Sequence, residues 1–422
     1  SFGYLGTFTK NEVLGRNANV NTVDMVYRPT EDFRLYAILL NSIVEDNKGY
    51  GLRISIRKQL NQDLSTGLGI YYLDKDLDIN DMGYLMRNDW IMIGGRTQLQ
   101  KTDFNKTSKT LMRTYHHSYG CRALSNGDKE GCFTGFEIKN QFKNTSQIET
   151  EVFFRTNGRD NLITRGSELA PYIKLPQNYG IEFKYVGRKN KFWQWDLFAQ
   201  RSKGSEYSSD LGWRNKYYSS VKVFPLPNLT LRLSYSHEKE ANWLNWIQDN
   251  FLGAYEKTQR NTNFSIKYFK GNQHELRVKA QLVAFTAKDP HAYLGSIDGR
   301  LNEVSTHLNP FSLGQLAFQI RYRYEIMPLA YLYAVYTRGG KIYEADEEDD
   351  LGTLYKRPWE DPSKDNFTVK VRNRFKDLCS SEQNQPSSEP TASDLGILTP
   401  QVRHLIISTL TFSCLGSFLL KR

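Results

Sequence analysis

The sequence lacks any long apolar run before its tail. In the first 375 of its 422 residues the densest apolar stretch is Leu35 to Leu40, far short of the roughly 18 consecutive apolar residues that a spanning helix needs. A bundle of membrane helices is therefore excluded. Cysteine is sparse, with four residues in all, too few for a disulfide scaffold. Cys121 and Cys132 flank the polar connection CRALSNGDKEGC; either one bridge, which needs an oxidising compartment, or two separate thiols fits that spacing. Catalytic constellations are missing too, with no nucleophile elbow, phosphate loop or metal-ligating His pair at helical spacing. The seven His are scattered, and His116 and His117 point to opposite faces of one strand and cannot chelate together. No repeat of roughly 20 to 50 residues is visible, which removes solenoids and propellers. The net charge of +10 has no nucleic-acid recognition motif behind it.

Aromatic residues, by contrast, are abundant. The 26 Tyr, 23 Phe and 7 Trp supply far more large apolar surface than a disordered chain carries. The strongest pattern is period-two alternation, which puts apolar side chains on one face of a strand and polar ones on the other. Leu229, Leu231, Leu233 and Tyr235 alternate with Thr230, Arg232 and Ser234; Leu276, Val278, Ala280 and Leu282 alternate with Arg277, Lys279 and Gln281. Phe318, Ile320, Tyr322 and Tyr324 alternate with Gln319, Arg321 and Arg323; Phe367, Val369 and Val371 alternate with Thr368, Lys370 and Arg372. Segments of this kind number about 18 between residues 2 and 375. Short turns, at 28, 61, 144, 188, 225 and 270, alternate with long connections at 74–88, 158–178, 238–260, 288–316 and 339–365. Short turns at one end and long loops at the other are the construction of a transmembrane barrel. Tyr71, Tyr72, Trp90, Trp193, Trp195, Tyr217, Tyr218, Tyr331, Tyr333 and Tyr336 fall near strand ends, as interfacial girdles require. The mean hydropathy of -0.59 fits strands that are half polar.

Three stretches resemble a bacterial family labelled domain of unknown function 5916: the opening FGYLGTFTKNE, DLDINDMGYLMRND at 76–89, and FQIRYRYEIMPLAYLYAVYTRGG at 318–340. The resemblance implies an outer-membrane β-barrel of unassigned activity, in a family whose barrel usually follows a carbohydrate-binding module of the family 9 type, absent here. It transfers no catalytic residue. Asp81, Gly83, Tyr84 and Arg87 stand at matching positions of its signature, either as a loop rim that contacts a ligand or as a turn eased by Gly83 with Arg87 paired to Asp81. DNFTVKVRNRF resembles a terminal barrel strand, whose closing aromatic, Phe375, is the residue that barrel assembly machinery reads.

If apolar residues face lipid, the lumen receives Arg53, Arg57, Lys139, Lys184, Lys222, Arg232, Lys267, Arg277, Lys279, Arg321, Arg323, Lys370, Arg372 and Arg374 against Glu137, Glu182, Asp196 and Glu325. Such a wall lowers the energy of anions in a channel, with Arg232, Arg277, Lys279, Arg321, Arg323, Lys370 and Arg372 as its core; the alternative is a lumen whose charges pair internally or contact a plug. The acidic loop EADEEDD at 344–350 reads as solvated, with calcium bridging as the sharper alternative.

The reading is an all-β protein, an antiparallel transmembrane β-barrel of about 18 strands and a part of a larger barrel. Residues 1–375 form the barrel, 376–403 a disordered linker, and 404–422 a short apolar tail outside the functional fold. The expected role is a pore, conduit or surface scaffold in the outer membrane, with outer-membrane lipid, barrel assembly machinery and glycans as partners, no nucleic acid, and no cofactor, metal or enzymatic activity. The alternatives are a membrane-embedded hydrolase and a secreted, soluble, β-rich carbohydrate-binding protein.

Overall fold

The computed structural model describes residues 1–12, 15–81, 85, 87–124, 126–203, 212–344, 351–372 and 409–413. The first nine strands are β1 (Phe2–Asn11), β2 (Arg16–Thr30), β3 (Phe33–Val44), β4 (Asn47–Gln59), β5 (Leu64–Leu73), β6 (Trp90–Lys101), β7 (Thr110–Ala123), β8 (Lys129–Phe142) and β9 (Gln147–Arg155). A small separate hairpin follows, β10 (Gly158–Asp160) with β11 (Ile173–Leu175). The main sheet resumes with β12 (Asn178–Val186), β13 (Trp193–Lys203), β14 (Trp213–Leu226), β15 (Leu229–Gln248), β16 (Phe251–Lys270) and β17 (His274–Gly295). It continues through β18 (Leu301–Val304), β19 (Phe311–Met327), β20 (Ala330–Glu344), helix α1 (Leu351–Glu360), β21 (Lys364–Arg372) and β22 (Thr409–Ser413).

All but β10 and β11 belong to one antiparallel sheet of 20 strands, and 18 of them have nine residues or more. Each long strand pairs with its neighbours in sequence, β9 passing directly to β12. This is the antiparallel wall that the alternation predicts. The described sheet is not closed: β1 pairs with β2 alone, and β22 adds to the far side of β21. Among the described residues no helix is long and apolar enough to cross a membrane.

Two connections expected as loops are strand. Residues 238–260 form the upper halves of β15 and β16, each 20 residues long, which meet at Asp249 and Asn250. A register shift between Glu240 and Trp243 breaks the alternation there, which is why the sequence pattern fades while pairing continues. Asp249, at φ 41°, takes the left-handed conformation that a short polar side chain tolerates. The 288–316 segment is likewise taken up by β17, β18 and the start of β19. Within 339–365, α1 lies against β19 and β20, its backbone at Leu354 and Pro358 so close to Gly314 and Gly340 that a Cβ would not fit at either glycine.

The register sorts the side chains onto two faces. One exposes Leu39, Ile56, Leu68, Ile93, Phe136, Val152, Ile181, Leu197, Leu233, Phe264 and Phe367 to the surroundings; Phe136, Val152 and Ile181 are direct cross-strand neighbours. The other face carries most of the charged and amide side chains, and a cavity of about 810 Å³ opens on it. We call it the inner face. On the outer face aromatics cluster near both strand ends. Tyr185 meets Trp195 at one end; at the other Tyr179 meets Trp213, over which Arg201 also lies, 4.4 Å from the ring centroid. Cys121 and Cys132, opposite each other on β7 and β8, are joined by a disulfide.

Candidate functional site

The seven basic residues singled out from the sequence all lie on the inner face of β15 to β21. Arg232 faces Ser265, which faces Lys279; Arg277 faces Arg321; Arg323 faces Tyr333, which faces Lys370; Arg372 faces Tyr331. They differ in how they are satisfied. Arg277 and Arg323 both pair with Glu275, a carboxylate with 1% side-chain exposure. Arg232 donates to the Tyr218 hydroxyl at 2.7 Å and to Ser220 Oγ at 3.1 Å. Among the described residues no carboxylate lies within ion-pair distance of Lys279, Arg321, Lys370 or Arg372. Internal pairing thus neutralises part of the wall and leaves the rest charged.

Of these four cations, Lys279 opens onto a basin of about 810 Å³. Arg232, Lys279, Lys341 and Lys364 line it together with the amides of Asn263, Gln281, Gln315 and Gln319, and no acidic side chain contributes to its lining. Cations and amide donors without a competing carboxylate stabilise an anion by charge and by hydrogen bonds.

Farther along the sheet the balance reverses. Glu137, Glu151 and Glu182 stand in one cross-strand row over β8, β9 and β12. Glu149 takes Lys139 and Lys184, each at 2.9 Å, and Glu238 takes Arg214 at 3.1 Å and Lys257 at 2.9 Å. Of the inner-face acids, strand alternation marks Glu137 and Glu182, whereas Glu149, Glu151, Glu238, Glu240, which pairs with Lys257, and Glu275 emerge from the structure. The alternation of Ile148, Val152 and Phe154 was the signal that places Glu149 and Glu151 inward. His116 and His117 diverge as expected: His116 Nδ1 lies 2.9 Å from Glu137, and His117 stacks on Phe136 across the outer face.

At the end with the long loops, the expected pair of Asp81 with Arg87 does not form. Asp81 pairs with Arg16 at 2.8 Å and accepts from Asn11 Nδ2 at 2.9 Å, a setting that holds its carboxyl below the usual carboxylate range, through the Asn11 bond first and then Arg16. Arg87 instead pairs with Glu130 and, at 3.1 Å, with Asp160, and donates to Asn161 Oδ1 at 2.7 Å. The two residues point to different partners because each closes a separate junction: Asp81 ties its loop to the β1–β2 tip, and Arg87 ties it to the β7–β8 tip and the loop after β9. Gly83, Tyr84, Phe375 and residues 345–350 of the acidic loop lie outside the described residues. Among the described residues no group of three or more His, Cys, Asp or Glu side chains could hold a metal ion.

The family model described as domain of unknown function (DUF5916) matches residues 5–378. No curated protein matches the chain. Among solved structures, the siderophore receptor PirA from Acinetobacter baumannii is similar over 89% of this chain and 74% of its own, at 9% identity and a TM-score of 0.43. A loop L8 deletion mutant of OmpT, an outer membrane protein of Vibrio cholerae, matches over 82% of this chain and 95% of its own, at 8% identity and a TM-score of 0.25.

Proposed function

This chain belongs to the DUF5916 family, and from that premise we propose that it is an outer-membrane β-barrel acting as a conduit for anionic solutes. The observation that carries the reading is the sidedness of the sheet. Leu68, Ile93, Phe136, Ile181 and Leu233 stay exposed on one face, while Lys279, Arg321, Lys370 and the basin share the other. A soluble sheet would cover such an apolar face, whereas lipid solvates it. The aromatic clusters at both strand ends suit the two headgroup levels. The role is non-catalytic, and the partners are outer-membrane lipid and the machinery that inserts barrels.

The test is expression with an export signal, followed by heat-modifiable migration of the outer-membrane fraction and then reversal potentials in planar bilayers across a KCl gradient. Expected are a gel shift on boiling and chloride selectivity, which Lys279→Glu with Arg321→Glu moves toward potassium. A soluble product without a gel shift rejects the membrane reading; a cation-selective pore rejects the anion bias alone.

A further inference from the structure

On the inner face of β3 to β7, away from the basic basin, lies a stack of alternating aromatic and guanidinium groups. The Arg53 guanidinium carbon sits 5.4 Å from the Tyr36 ring centroid and 4.6 Å from that of Tyr71. The Tyr71 ring runs nearly parallel to Trp90, at 6° and 6.4 Å between centroids, and Arg122 lies 5.7 Å from the Trp90 ring. Register places Arg53 opposite Tyr71, Tyr71 opposite Met92 and Met92 opposite Arg122.

Arg53 differs from the arginines that have a carboxylate. Arg323 has Glu275 and Arg87 has Glu130, whereas among the described residues no carboxylate pairs with Arg53; its Nε, like that of Arg87, and Trp90 Nε1 are buried without a hydrogen-bond partner. Rings cover the guanidinium, so its donors project edgewise, the presentation that binds a planar oxyanion in bidentate fashion. A buried donor left unpaired in a folded protein calls for an acceptor from elsewhere.

A second feature adjoins the stack. Gly69, Gly94 and Gly120 stand directly opposite one another on β5, β6 and β7. The atoms nearest a Cβ added at Gly94 are backbone atoms of Tyr119 and Gly120, and nearest one at Gly69 are Ile54 O and Ser55, whereas a Cβ at Gly120 would strike the Phe133 ring. Glycine inside strands weakens them and marks places where another group approaches the backbone closely. Here the floor is bare sheet at Gly69 and Gly94, about 5 Å across two strands, bounded at Gly120 by the Phe133 ring and with the Tyr71 and Trp90 rings beside it.

We propose that this wall is a binding site for a carboxylated pyranose, such as a uronic acid residue. Its carboxylate would take the Arg53 edge and its ring would lie on the glycine floor against Tyr71 and Trp90. An inorganic oxyanion would use the guanidinium and leave floor and rings idle; a neutral sugar would leave Arg53 unpaired. The site rests on the reading of the inner face as luminal.

The experiment uses the full chain in detergent micelles, with barrel formation scored by heat-modifiable migration and binding of trigalacturonate, galactotriose and inorganic phosphate measured by titration calorimetry. Expected is binding of trigalacturonate at least tenfold tighter than of either other probe. Arg53→Gln should weaken it at least tenfold, Gly69→Leu, where a Cβ makes only ordinary contacts, should do so by filling the floor, and Arg188→Gln in the turn between β12 and β13 should leave it unchanged. A heat-modifiable barrel that binds phosphate as well as trigalacturonate, binds galactotriose equally, or is indifferent to Arg53→Gln overturns the site alone. Absence of any heat-modifiable species overturns the luminal reading and the site with it.

Discussion

Arg323 Nε lies 3.2 Å from the Glu275 carboxylate, at directly opposed positions of β19 and β17. Arg277, two residues along the same face, pairs with the same carboxylate. One acid thus compensates two guanidiniums while keeping 1% side-chain exposure, and its removal would leave two cations facing Arg321 and each other. The arginines left behind are 37% and 28% exposed, so solvent offsets part of the loss, and a hydrogen bond to a charged group is worth about 1.5 to 3 kcal/mol. Glu275→Gln should therefore lower barrel stability by about 1.5 kcal/mol in urea unfolding from vesicles. An unchanged midpoint would mean that the arginines are compensated by solvent.

The pairing also separates what the sequence could and could not tell. Alternation placed Arg277, Arg321 and Arg323 on one face, because period two is fixed by strand geometry. Which of them keeps its charge depends on Glu275, and its contact with Arg323 spans about fifty residues of sequence. The same holds at the loop end: DLDINDMGYLMRND marked a junction, but Asp81 and Arg87 find Arg16 and Glu130 rather than each other, because loop partners are set by three-dimensional closure. The upper halves of β15 and β16 were illegible for a local reason, the register shift between Glu240 and Trp243 that interrupts the periodicity. The glycine floor emerges only from the register that sets Gly69 opposite Gly94.

Glu151 stands between Glu137 and Glu182 on the inner face. Glu137 has His116 and Glu182 has Gln200 Nε2 at 2.7 Å, which leaves the middle carboxylate beside two of its own sign. Like charges directly opposed across strands destabilise a sheet by roughly 0.2 to 1 kcal/mol. Glu151→Gln should accordingly raise stability by about 0.5 kcal/mol, read as a higher urea midpoint, and should shift a pore's selectivity further toward anions. A lower midpoint would show that Glu151 holds a partner worth more than the repulsion it suffers.

Asp81 gives a pH-dependent contact at the rim. Its carboxyl is held below the ordinary value of 3.8 by the Asn11 bond first and by Arg16. A depressed folded-state value stabilises the structure fully above the unfolded value and is lost as pH falls through the folded one. The tie between the β1–β2 tip and the loop after β5 should thus hold from neutral pH to about pH 4 and loosen below it. Pepsin cleavage in these two segments should rise over that acidic window in the native chain. Asp81→Asn should cleave readily at every pH tested, and a native profile in that variant would remove Asp81 from the clamp.

Ile181 offers the sharpest contrast between the two faces. It is 50% exposed in the middle of β12, flanked on the same face by Val152 of β9. Its chain neighbour Glu182 faces inward beside Gln200. In water an arginine at an exposed position is nearly neutral. At the midplane of a bilayer it costs about 2 to 4 kcal/mol. Ile181→Arg should therefore fold poorly into vesicles, with a loss of about 3 kcal/mol, while Gln281→Arg on the inner face should fold as the parent does. Equal folding of both variants would place the apolar face in water and require a soluble partner to cover it; the asymmetry, if found, assigns lipid to one face and solute to the other by measurement on two single residues.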